Sequence, residues 1–178
     1  MRQNIRQTKK LTLSAMAVAL GVVFMALGYF VEALDLTSAA LCSLIMVFMY
    51  IEIGSPYTWL TWAATTLLGF VFFSSSFVWI TYGLVFGIYP IIKAYIEKLP
   101  RWLWIILKLL YANATFAALA VISEALFGIP LISAENKVVL ALLWGGLNLA
   151  FILYDICITV CVKLYFSRIR GKISKLLK

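Results

Sequence analysis

Apolar runs follow one another from Leu11 to Phe166, each close to the roughly 20 residues a helix needs to cross a bilayer. Only short polar or turn-forming segments separate them. Of the 178 residues, 65% are hydrophobic and 12% are charged, with a mean hydropathy of +1.04. A soluble domain carries about twice that charged share. One soluble domain of this length could not hide so much apolar surface, so lipid is the solvent for most of the chain. The expected fold is all-α: a single integral membrane domain over residues 1–178, a bundle of about six transmembrane helices.

Turn signals set the boundaries. The predicted spans are about 11–31, 36–53, 57–73, 77–92, 102–127 and 138–166, followed by a basic tail, 167–178. Gly54-Ser55-Pro56 ends the second span, because proline cannot continue the helical ladder. Ser74-Ser75-Ser76 turns between the third and fourth, and Gly128 with Pro130 closes the fifth. The first run is longer than the 7–15 residues of a secretory h-region and lacks a clean cleavage site, so it reads as an uncleaved helix. The third and fourth runs are the shortest, and a re-entrant pair is the alternative there. Pro90 is expected to kink the inner end of the fourth, and 93–101 to lie along the interface as an amphipathic segment.

Charge placement orients the bundle. The net charge is +8, but the basic residues fill the gaps between apolar runs and form no stripe suited to nucleic acid. Lysine and arginine concentrate in cytoplasmic segments. With both termini cytoplasmic, all 15 Lys and Arg residues except Lys137 fall on the inner side, counting Lys108. Trp102 and Trp104 mark an inner interface, and Trp79 an outer one. The same basic rims suit anionic headgroups.

Little in the chain suggests catalysis. It has no histidine and no GxxxxGK[ST] loop, so no triad, haem ligand or nucleotide loop of the usual kind is expected. Cys42, Cys157 and Cys161 are odd in number, form no CxxC pair and lie inside apolar runs, which reads as buried thiols. No catalytic residue, metal ligand set or cofactor is expected.

Small residues spaced one turn apart let helix backbones approach closely. Ala15-x-x-x-Ala19 and Ala17-x-x-x-Gly21 lie on the first helix, and Gly83-x-x-x-Gly87 on the fourth. Each reads either as packing within the chain or, for the first helix, as docking on another protein. Polar residues inside spans are costly and normally face the bundle interior or a wet cavity. At 3.6 residues per turn, Asn113, Ala117 and Glu124 share a face of the fifth helix. Trp144, Asn148 and Asp155 share one on the sixth, and Gly21, Gly28 and Glu32 one on the first.

An outward-opening pocket between these three helices follows, with Glu32, Glu124, Asn113, Trp144, Asn148 and Asp155 as candidate substrate-binding residues. A purely structural reading stands beside it. Glu32 and Asp35 are then loop acids in water, Glu124 a helix-end residue and Asn113 polar glue. Asp155 is then paired with Lys108 on the cytoplasmic half.

A short basic N-terminus runs into KKLTLSAMAVALGVVF, six spans follow, and Ala15 and Ala19 give the AxxxA pattern. This layout resembles the substrate-binding S components of energy-coupling-factor vitamin transporters. The resemblance implies that Ala15 and Ala19 dock on a transmembrane coupling subunit driven by two ATPase subunits. It also implies that the chain captures a small, vitamin-like molecule from the outer face. The acidic outer residues would favour a cationic or neutral ligand. A non-catalytic structural or assembly protein of the bacterial envelope is the alternative, and an ion channel a third reading. Leu, Phe, Ile and Lys usage suits a bacterial inner membrane.

Overall fold

The computed structural model describes residues 2–31, 34–128 and 137–169. Among them every regular element is helical. The chain divides into two compact units, Met1–Ser133 and Ala134–Lys178. The first contains α1 (Arg2–Phe30), α2 (Asp35–Glu52), α3 (Ser55–Phe72), α4 (Val78–Thr81), α5 (Tyr89–Ile96) and α6 (Arg101–Phe127). The second contains α7 (Lys137–Leu164), which ends in a π-helical turn, Tyr165–Ile169.

Five stretches are long and apolar enough to cross a membrane: Gln7–Phe30, Asp35–Glu52, Val78–Ile96, Arg101–Leu126 and Val138–Arg168. The protein is thus an all-α, multi-pass membrane bundle. α3 matches α2 in length, at 18 residues, but its threonines, tryptophans and tyrosine lower its hydropathy. Its polarity is turned inward: Thr58, Thr61 and Thr65 are buried, while Leu60 and Leu67 are exposed.

Packing shows that α3 nevertheless runs alongside α1 from Lys10 to Tyr29. α1 and α3 run parallel, with α2 antiparallel beside both. At one end the Lys10 ammonium lies 5.6 Å from the Tyr57 ring centroid. Midway Gly21 abuts Thr65, then Gly69 abuts Met25, and at the far end Tyr29 meets Phe73 at 5.2 Å. The α1 stretch from Lys10 to Tyr29 rises about 28 Å at 1.5 Å per residue, which is close to the hydrocarbon thickness. The next pass returns along α3: Trp79 lies against Gly69, Gly83 against Thr66, Gly87 against Trp62, and Tyr95 bonds Ser55 at 3.0 Å. The two short runs therefore form a hairpin along the length of α1 in the first unit and do not turn back midway.

The returning pass is broken, and the break lies earlier than Pro90. α4 ends after one turn, and Tyr82–Phe86 forms a π-helical turn closed by Gly87 N–H donating to the Tyr82 carbonyl at 2.6 Å. Pro90 instead begins α5, where a missing N–H costs nothing. Carbonyls freed by a π turn need outside donors. The Trp62 indole N–H donates to the Gly83 carbonyl at 3.1 Å. The Tyr111 hydroxyl lies 2.7 Å from the Leu84 carbonyl and 3.1 Å from that of Val85.

The interfacial segment expected over 93–101 is corrected in the same region. Lys93 belongs to α5 and is only 5% exposed, because the helix continues to Ile96. Glu97 and Lys98 turn only after that, ahead of Pro100.

Between lipid-immersed helices there is no hydrophobic drive to associate, so close packing and hydrogen bonds hold the bundle. The interior accordingly combines Met25, Ala39, Cys42, Met46, Val78, Tyr82 and Ile91 with small hydroxyl residues. Those hydroxyls are satisfied within their own helices. Thr58 donates to the Gly54 carbonyl, Thr61 to Tyr57, Thr65 to Thr61 and Ser38 to Asp35, all at 2.8–2.9 Å.

Candidate functional site

α1 presents two small-residue motifs with opposite fates. Ala17 and Gly21 face inward: Ala17 is buried, and a Cβ on Gly21 would meet Thr65 Cγ2 at 2.9 Å. The Cys42 thiol donates to the Gly21 carbonyl at 3.1 Å, tying α2 to the same face. Ala15 and Ala19 are exposed and lie among the exposed Leu11, Met16, Leu20 and Val23. The alternation follows from helical geometry, since two positions along a helix turn the side chain by about 200°. One face of α1 is thus used within the chain, and the other is open.

The Gly21–Gly28 face that was expected to line a pocket is filled by α2, α3 and α4. Gly28 has Ser38 and Val78 packed against it. Small residues there serve helix contact, not a cavity. Glu32, the outer member of that face, lies outside the described residues.

On α6, the Asn113 amide donates to the Leu109 carbonyl at 2.8 Å, and Asn113 is half-buried. Glu124 is exposed near the end of the helix, where Gly128 caps it with φ +65°. α7 is regular through its candidate residues, so Trp144, Asn148 and Asp155 do share a face, all half-buried. The Asn148 amide donates to the Trp144 carbonyl at 2.9 Å, and Thr159 to the Asp155 backbone carbonyl at 2.8 Å. Glu124 and Asn113 belong to the first unit and these three to the second.

A charged group absent from the expected site lies at the inner end of the first unit. Glu97 lies 3.6 Å from the buried Lys93 and 3.2 Å from Lys108, which reaches it from α6. Lys108 also lies 5.8 Å from the Trp104 ring centroid. The i,i+4 spacing of Lys93 and Glu97 was visible in the sequence, whereas the arrival of Lys108 required the tertiary fold. With Lys10 beside Tyr57, and Lys98 4.7 Å from the Tyr95 ring centroid, the basic residues of α1, α5 and α6 meet at one end. This is the arrangement that a cytoplasmic N-terminus requires.

Among the described residues no three His, Cys, Asp or Glu side chains come close enough to share a metal ion. Fold and surface define a class, a multi-pass helical membrane protein. Comparison with known proteins goes no further: no protein-family model, no curated protein and no solved structure matches the chain.

Proposed function

We propose that this chain is the substrate-binding membrane subunit of a transporter of the energy-coupling-factor kind. It captures a small, vitamin-like molecule at the outer face and docks through α1 on a separate transmembrane coupling subunit driven by two ATPases. The observation that supports this reading is the division of α1. Its inner small-residue motif is consumed in packing, while Ala15 and Ala19 stand exposed in an apolar strip where another helix can approach closely. The absence of a nucleotide-binding loop fits a subunit whose energy comes from elsewhere. The candidate ligand-binding residues are Glu32, Asn113, Glu124, Trp144, Asn148 and Asp155, and the site of action is the bacterial cell membrane.

The test is affinity purification in mild detergent, with mass spectrometry of co-purifying proteins and small molecules. Recovery of two ATPases and a large membrane subunit, lost in Ala15→Trp and Ala19→Trp, is the expected result. A retained small molecule, lost in Asn148→Leu, would name the substrate. Recovery of envelope-assembly proteins without ATPases or ligand would replace this reading with a structural one.

A further inference from the structure

At the basic end of the bundle an open groove of about 390 Å³ runs between α1 and α3, lined by Gln7, Thr8, Leu11 and Tyr57. We infer that it holds the headgroup of an anionic phospholipid from the cytoplasmic leaflet. Its chemistry changes with depth in the way a lipid's does. Gln7 and Thr8 bring an amide and a hydroxyl to the upper wall. Tyr57 brings a ring, and the Lys10 ammonium lies 5.6 Å from that ring's centroid. Lys9 is exposed on the same turn of α1.

Below, Leu11 is 61% exposed, and Leu60, one turn after Tyr57 on α3, is 62% exposed. The groove therefore opens downward onto bare apolar helix, where acyl chains can lie. A free anion would have no use for that continuation. Charge complementarity favours a phosphate. Among the described residues of the first unit, the carboxylates at this end are Glu52, which closes α2, and Glu97, which lies within 4 Å of Lys93 and Lys108. Against them stand Lys9, Lys10, Lys98 and Arg101. A basic residue near the surface of an anionic membrane contributes on the order of five-fold in affinity. A cation held beside an aromatic ring at the headgroup level is suitably placed to do so.

The experiment uses the purified full-length chain in detergent, titrated with phosphatidylglycerol or phosphatidylcholine, with bound lipid counted by native mass spectrometry. Phosphatidylglycerol is expected to be retained in preference to phosphatidylcholine. Lys10→Gln should lower that retention about five-fold, and Tyr57→Ala should lower it too. Tyr57→Phe, which keeps the ring, should not. Circular dichroism and gel filtration separate these effects from misfolding.

Equal retention of the two lipids, or a Tyr57→Phe loss as large as that of Tyr57→Ala, would overturn the inference. Displacement of the lipid by inorganic phosphate, but not by chloride at equal ionic strength, would assign the groove to a free anion and overturn it as well. So would a Lys10→Gln variant that keeps its lipid but loses a co-purifying protein, which would give the groove to that partner.

Discussion

Ser38 on α2 packs against Gly28 on α1 so closely that a Cβ at Gly28 would collide with the Ser38 hydroxyl. That hydroxyl donates to the Asp35 carbonyl at 2.9 Å, so moving aside costs a hydrogen bond, and Val78 closes the other side at 2.9 Å. Replacing glycine by alanine within a helix ordinarily stabilises it by about 1 kcal/mol. Here overpacking outweighs propensity, and Gly28→Ala is expected to destabilise by about 1–3 kcal/mol. Gly145 on α7, with open space around it, is the control. Gly145→Ala should raise or leave unchanged the thermal midpoint in detergent, and Gly28→Ala should lower it.

The two faces of α1 predict opposite responses to bulk. Ala15→Trp and Ala19→Trp lie on exposed positions and should change stability by less than about 0.5 kcal/mol. Ala17→Trp enters a packed contact and should cost about 3 kcal/mol or prevent folding. Size-exclusion profiles and thermal midpoints of the three variants test the division. Equal effects would show that α1 has no free face.

Tyr111 holds the π turn of the fourth pass. Tyr111→Phe keeps the ring stacked on Tyr89 at 5.5 Å but removes the donor to Leu84 and Val85. A loss of about 1 kcal/mol is expected, in the range of interhelical hydrogen bonds in membranes. Amide hydrogen exchange should quicken over 82–86 and not in α2. Unchanged exchange there would mean that the turn does not depend on this hydroxyl.

Glu97 serves two lysines whose side chains are 6% and 13% exposed. Charges this sheltered suffer when their partner is removed, so Glu97→Gln should cost about 1–3 kcal/mol. Lys93→Met in the same chain should recover part of that loss, since the coupling runs through the pair. A double-mutant cycle measured by thermal unfolding decides it, and strictly additive effects would dismiss the coupling.

Full passage of the third and fourth segments fixes where cysteine probes react. Ser75 in the outer turn and Lys98 after α5 are both exposed. In intact cells, Ser75→Cys should label with an impermeant maleimide from outside, and Lys98→Cys only after permeabilisation. Labelling of both from one side would restore the re-entrant arrangement.

Much of the architecture was legible because a bilayer reduces folding to length, hydropathy and charge. The C-terminal ends of α2, α3 and α6 fall within about two residues of the turn signals at Gly54-Ser55-Pro56, Ser74–Ser76 and Gly128. Pro90 opens a new helical segment after a π turn that no residue type announces, and that segment carries Lys93 into the packed bundle. The candidate pocket was less legible. Periodicity places Trp144, Asn148 and Asp155 on one face, but cannot say that the Gly21–Gly28 face of α1 is spent on α2 and α4.

By itself, then, the sequence determined that the chain lives in lipid, is helical throughout its spans, and carries its basic residues mainly between and beyond those spans. Each of these follows from terms summed over whole segments, which one residue does not reverse. Tertiary structure alone decided which of two interleaved small-residue motifs packs inward, how the broken pass is held by Trp62 and Tyr111, and which lysines meet Glu97. Those outcomes rest on close contacts between distant segments, such as 2.7 Å for Tyr111 and 3.2 Å for Lys108. Helix rotation and register set them, and both depend on every neighbour at once.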